Sequence, residues 1–260
     1  MERADPSPGI HRPLLGRNLE RIRRSLEAAA RRAGRDPASF LLIAATKTVA
    51  AEIVALLPSL GVLDVGENRV QEASGKVRAL SDLGLRWHMI GHLQTNKARR
   101  ALEIFHRVHS VDRDALMDVL AGEAARRGLV ADCLLQVNVS EETTKGGYRL
   151  AEAEGALRRA RSLPSLRVTG LMAVPAPAAD PEAGRPAFRA LRLLRDRLAG
   201  EHPDLRDLSM GMSGDCAVAV EEGATLVRVG TALFEGLPSE CFGRAAARDG
   251  AAQGPAGGGA

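Results

Sequence analysis

Eight short runs suited to buried strands, at 40–47, 62–67, 86–91, 107–111, 132–139, 166–174, 206–212 and 226–231, alternate along this chain with stretches of helical periodicity. Val70, Ala73, Val77 and Leu80 share one helical face. Leu116, Val119 and Leu120 share another, opened by Asp112 as N-cap and closed by Gly128, and Phe188, Leu191, Leu194 and Leu198 share a third, closed by Gly200. Eight βα units predict an α/β fold built as one closed (β/α)8 TIM-type barrel, because an open doubly wound sheet usually shows five or six strands. The length of 260 residues agrees, since such barrels usually run to about 250. Leu15, Leu19, Ile22 and Leu26 recur at helical spacing up to Gly34 and predict an extra N-terminal helix, which either covers the N-terminal end of the barrel or packs on its outside. The expected organisation is a flexible lead-in over 1–13, the barrel over 14–242 and a disordered Gly/Ala-rich tail over 243–260.

The first strand, Leu41-Leu42-Ile43-Ala44-Ala45, runs by way of Thr46 into Lys47. In α/β proteins the C-terminal ends of the strands are where ligands bind, so the barrel places an amine where chemistry takes place. Composition sharpens this reading. Of 36 basic residues only Lys47, Lys76, Lys97 and Lys145 are lysines, and a chain that otherwise uses arginine keeps a lysine where it needs a primary amine, the group that forms an imine with an aldehyde.

Composition also excludes several classes. The net charge of +4 is spread over helix faces such as Arg21, Arg23 and Arg24, and aromatics make up only 3% of the chain, so specific nucleic-acid binding is not expected. Cys133, Cys216 and Cys241 form no Cys-x-x-Cys pair and read as free thiols. With no apolar run of eighteen residues and no apolar core to the first residues, a cytoplasmic chain without a membrane partner is expected. His88 and His92 are four apart, but on a strand and its following loop, which does not stack them as metal ligands. His106 and His109 read as structural or surface groups, and Trp87 as barrel packing.

The second chemical signal lies near the other end of the chain. Ser209-Met210-Gly211-Met212-Ser213-Gly214-Asp215 ends the seventh run, and Arg228-Val229-Gly230-Thr231 ends the eighth. Loops after strands seven and eight of a barrel commonly hold a phosphate, here with the Ser213 and Thr231 hydroxyls, with Gly214 and Gly230 admitting close backbone approach and with Asp215 capping the next helix. Closure makes strand eight the neighbour of strand one. A ligand spanning both features carries an aldehyde and a phosphate, which describes pyridoxal 5′-phosphate (PLP) held as an imine to Lys47. Three readings stand for Arg228: a donor near the pyridine nitrogen that keeps it unprotonated, a partner of Glu67 or Asp64, or a phosphate ligand. Asn68 is the asparagine favoured for contact with the cofactor.

These residues, with Gly66-Glu67-Asn68-Arg69-Val70-Gln71-Glu72, Trp87-His88-Met89-Ile90-Gly91-His92-Leu93-Gln94-Thr95-Asn96-Lys97, Gln136-Val137-Asn138, Thr144-Lys145-Gly146-Gly147 and Gly170-Leu171-Met172, resemble the pyridoxal phosphate homeostasis proteins, which look like the barrel half of alanine racemase. The resemblance runs from about Asn18 to Gly236, with Phe234-Glu235-Gly236 and Thr46 as small departures. It implies a PLP-binding barrel with Lys47 as the imine lysine, no established turnover, and a role in storing, buffering or delivering the cofactor to PLP-requiring apo-enzymes, as a monomer or weak dimer. The alternative is a PLP-dependent racemase or lyase. That reading needs a second base facing Lys47, and the chain has one tyrosine, Tyr148.

Overall fold

A computed structural model describes residues 8–140, 146–176 and 178–243. The eight expected strands form as β1 (Leu41–Ala45), β2 (Asp64–Glu67), β3 (Arg86–Met89), β4 (Arg107–Val111), β5 (Ala131–Asn138), β7 (Leu166–Met172), β8 (Asp207–Ser209) and β9 (Leu226–Val229). Between β5 and β7 a two-residue strand, β6 (Tyr148–Arg149), adds to the end of β5. All neighbours pair in parallel in the order β4-β3-β2-β1-β9-β8-β7-β5, and β4 pairs with β5 to close the barrel. Parallel strands require crossovers, which α2 (Ala51–Val54), α3 (Val70–Ala79), α4 (Ala98–Ile104), α5 (Asp114–Arg126), α6 (Ala153–Arg161), α7 (Arg185–Ala199) and α8 (Cys216–Glu221) supply.

The N-terminal helix α1 (Arg12–Arg32) starts at Pro13 and stops before Gly34, whose φ of 67° ends it. Pro8–His11 forms a 3₁₀ turn directly ahead of α1. Leu15, Leu19, Ile22, Leu26, Ala29 and Ala30 are buried along one face. The choice left open between capping and outside packing is settled by α8, against which α1 lies. Among the described residues no α-helix follows β9, and α1 fills that place in the outer ring. Its buried Asn18 donates to the carbonyls of Leu233 and Glu235 at 3.0 and 2.9 Å, so the helix holds the segment that leaves β9. The expected tail beyond Gly243 and Lys145 lie outside the described residues.

Two expected caps are corrected. The N-cap of α5 is Arg113 rather than Asp112, and the Asp112 carboxylate instead accepts from Arg113 and meets His92 at 3.0 Å. Asp215 does stand at the N-cap of α8, but its carboxylate accepts from the Met212 N–H at 2.6 Å and gives the helix no side-chain cap. In both places a turn or a cation offered the short carboxylate a nearer donor than the helix did.

Candidate ligand site

Lys47 follows β1 by two residues, and what precedes it is fixed from three sides. Thr46 is buried, and its hydroxyl donates to the Glu67 carboxylate at 2.6 Å. Lys76, on α3, donates to the Thr46 carbonyl at 2.6 Å and to the same Glu67 oxygen at 2.8 Å. Glu67 is buried and its second oxygen has no partner. Its charge is therefore committed to this one corner. The Lys47 side chain, by contrast, is exposed and makes no hydrogen bond or ion pair among the described residues. A rigid backbone thus presents an unengaged amine.

The β1–β9 pairing brings the second feature alongside. Ile43 stands opposite Arg228 and Ala44 opposite Val229, so Lys47 and the Gly230–Thr231 turn leave adjacent strands in the same direction. Lys47, Thr48, Gly230, Thr231 and Phe234 line one cavity of about 310 Å³. A Cβ on Gly230 would come to 3.2 Å from the Ala45 carbonyl, closer than side chains ordinarily pack, so the glycine lets the two strand ends meet. Ser213 joins from the β8 loop. Its hydroxyl accepts from the N–H groups of Gly230 and Ala232 at 3.2 and 3.3 Å. The N–H groups of Ser213, Gly214 and Thr231 make no hydrogen bond among the described residues. The open donors of Ser213 and Thr231 and their two hydroxyls, near an amine, suit a phosphorylated ligand.

Two expected residues stand apart from this cavity. Gly214 is exposed and lines a neighbouring hollow of about 160 Å³ with Met212 and Asp215. Asn68 lines a cleft of about 370 Å³ with Arg69, Gln94 and Lys97, on the β2–β3 side. Arg228 is buried inside the barrel. It bonds neither Glu67 nor Asp64, but donates from Nη1 to the Ser209 carbonyl and hydroxyl at 2.9 and 2.6 Å and from Nη2 to the Ala173 carbonyl at 2.9 Å. Burial lowers its pKa to about 10 against the pull of Asp215, so it is still a cation at neutral pH. These bonds take up three of the five guanidinium N–H groups, which leaves two for a ligand atom.

Residues missed from sequence include His109, which is buried in the barrel interior rather than at the surface, and its partner Ser209. The available signal was alternation: Arg86 and His88 on β3, and Arg107 and His109 on β4, put polar groups on one face of strands whose other face carries Trp87 and Val108.

Residues 17–238 match the family described as the alanine racemase N-terminal domain. The pyridoxal phosphate homeostasis protein of Aquifex aeolicus is 45% identical over 221 residues, which cover 85% of this chain and 95% of that protein. The chain belongs to the pyridoxal phosphate homeostasis protein family. Among solved structures of similar proteins, an unknown protein from Bifidobacterium adolescentis is 33% identical with a TM-score of 0.81, over 90% of this chain and 98% of that one. PipY from Synechococcus elongatus PCC7942, solved with PLP bound, is 36% identical with a TM-score of 0.70, over 81% of this chain and 99% of PipY. Pyridoxal phosphate homeostasis proteins thus match this chain over the whole barrel, and not over one motif alone.

Proposed function

We propose that this chain binds PLP at the C-terminal mouth of the barrel and stores, buffers or hands over the cofactor without turning over a substrate. The observation that carries the reading is the single cavity lined by Lys47 and by the Gly230–Thr231 turn, which closure of β1 on β9 creates. When bound, PLP supplies an aldehyde that condenses with an amine and a ring that withdraws electrons from that carbon. Lys47 is the amine at hand. Ser213, Thr231 and their open N–H groups would hold the phosphate. Arg228 would offer the ring nitrogen a hydrogen bond it can only accept, which disfavours its protonation and weakens the electron sink.

The place of the one tyrosine supports a carrier over a racemase. Tyr148 donates its hydroxyl to Asp114 at 2.9 Å and lines a different cleft with Asp112 and Arg113. Burial, then the bond to Asp114, pushes its phenol further above the ordinary value, which keeps it protonated and unavailable as a base at neutral pH. A cytosolic setting and apo-enzymes as recipients belong to the same proposal, as does a monomer or weak dimer. Among the described residues no helix is long and apolar enough to cross a membrane. Purified protein mixed with PLP and then dialysed tests the function. It should retain about one equivalent with a visible absorption band; loss of all PLP would overturn the proposal.

A further inference from the structure

The interior of this barrel is only partly apolar. Ile43, Leu134, Met172 and Leu226 form its inner cluster. Beside them a line of buried polar side chains runs through the barrel interior. Asp64, the first residue of β2, meets His88 Nε2 at 2.9 Å. His88 Nδ1 meets His109 Nε2 at 3.0 Å, His109 Nδ1 meets the Ser209 hydroxyl at 2.9 Å, and that hydroxyl accepts from Arg228 at 2.6 Å.

With neutral rings, the acceptor at the Asp64 end decides the direction of every bond along the line. Arg228 can only donate. The Asp64 carboxylate can only accept, and it is ionised: its burial is outweighed by the bonds from Arg86 and His88, which hold it at about 2. Ser209 must then accept from Arg228 and donate to His109 Nδ1, His109 must donate from Nε2 to His88, and His88 must donate from Nε2 to Asp64. With both imidazoles neutral this is the one arrangement of protons that satisfies all four links, each ring carrying hydrogen on Nε2. Burial favours the neutral form of both rings; on His88 it outweighs the hydrogen bond and charge of Asp64, with Arg107 and His106 acting beside it, and on His109 the charges of His88, Arg228 and Arg107 add to it.

We propose that Asp64, His88, His109 and Ser209 are positioning residues, a one-way hydrogen-bond chain that aims Arg228 and links its buried cation to a counter-charge through the barrel interior. This rests on the cofactor reading above only for what Arg228 faces. The chain itself is a property of the ligand-free protein. The positions of Nη1 and Nη2 are set by Ser209 and by the Ala173 carbonyl, so the remaining donors have one orientation before any ligand arrives.

Two measurements test it. Long-range ¹⁵N–¹H NMR of the ligand-free protein at pH 7 should show His88 and His109 neutral with hydrogen on Nε2. A proton on Nδ1 of either ring, or a charged His109, overturns the chain whether or not PLP binds. With PLP added, Asp64→Asn keeps an acceptor for His88 but removes the charge, and should move the pH midpoint of the visible band by about one unit or weaken PLP retention about tenfold. The control is Asp132→Asn. Asp132 pairs with Arg167 at the same end of the barrel and has no link to Arg228, and its variant should leave both readouts unchanged. Ser209→Ala should reproduce the Asp64→Asn effect, and Ser209→Thr, which keeps the hydroxyl, should restore the wild-type band. Wild-type behaviour in both Asp64→Asn and Ser209→Ala, or equal effects in Asp64→Asn and the Asp132→Asn control, would overturn the positioning role. If PLP is not retained by wild type at all, the function fails while the NMR result still decides the chain.

Discussion

The Lys76 ammonium stands 2.6 Å from the carbonyl of Thr46, the residue that precedes Lys47, and bonds the Glu67 carboxylate with another of its hydrogens. One cation on α3 thereby ties the end of β1 to the end of β2. Lys76→Met would leave Glu67 buried with only the Thr46 hydroxyl as partner, at an expected loss of about 3 kcal/mol, the lower end of the range for a broken buried pair because Lys76 keeps some solvent contact. Urea denaturation measures it. Adding Glu67→Gln should recover part of the loss, since the second change removes the stranded charge.

The phosphate contacts should weaken by degrees. Ser213→Ala removes a hydroxyl that sits on the Gly230 and Ala232 N–H groups, and Thr231→Ala removes one at the exposed turn. Each charge-assisted bond lost is expected to cost about 1.5 to 3 kcal/mol before the backbone donors compensate. Dialysis of the double variant against PLP-free buffer reads the change. Retention equal to wild type would place the phosphate elsewhere.

Stability should fall as pH drops below about 6.5. His88 and His109 have pKa values lowered by burial in the folded chain, His109 strongly so, while unfolded histidine titrates near 6.5. Below that pH the unfolded state takes up protons that the folded state refuses, and each ring contributes a slope of up to about 1.4 kcal/mol per pH unit. Asp64, held at about 2, adds a loss of the same sign below its unfolded value, as pH falls toward 2. Urea midpoints at pH 7 and 5 should differ in wild type and differ less in His88→Gln/His109→Gln. A wild-type midpoint independent of pH over that interval would contradict buried neutral imidazoles.

Most of the barrel was legible because the strands are short runs that alternate with stretches of helical periodicity, so the order of elements could be read without any long-range contact. The lysine at the mouth and the Ser213 and Thr231 loops were legible for the same reason, since strand closure alone makes them neighbours. What could not be read was anything that depends on which residues meet inside the barrel. His109 and Ser209 are a hundred positions apart, on strands that are not neighbours, and only the closed geometry brings them together. Asn68 follows β2 directly and lines the cleft that also holds Lys97, a neighbourhood that its place after a strand does not reveal.

No amino acid should be turned over. With PLP bound, exchange of the L-alanine α-proton for deuterium, followed by NMR, should not outpace free PLP, because Tyr148 is bonded to Asp114 away from Lys47 and Arg228 opposes protonation of the ring. Exchange faster than free PLP that disappears in Lys47→Ala would favour the racemase or lyase reading.

The measurement closest to the central claim is the site of attachment. Protein loaded with PLP, reduced with borohydride, digested and analysed by mass spectrometry should carry the pyridoxyl mass on the peptide containing Lys47, and Lys47→Ala should lose the visible band while keeping weaker PLP binding through the phosphate loops. A label confined to Lys76, Lys97 or Lys145, or no label on protein that still retains PLP, would contradict it.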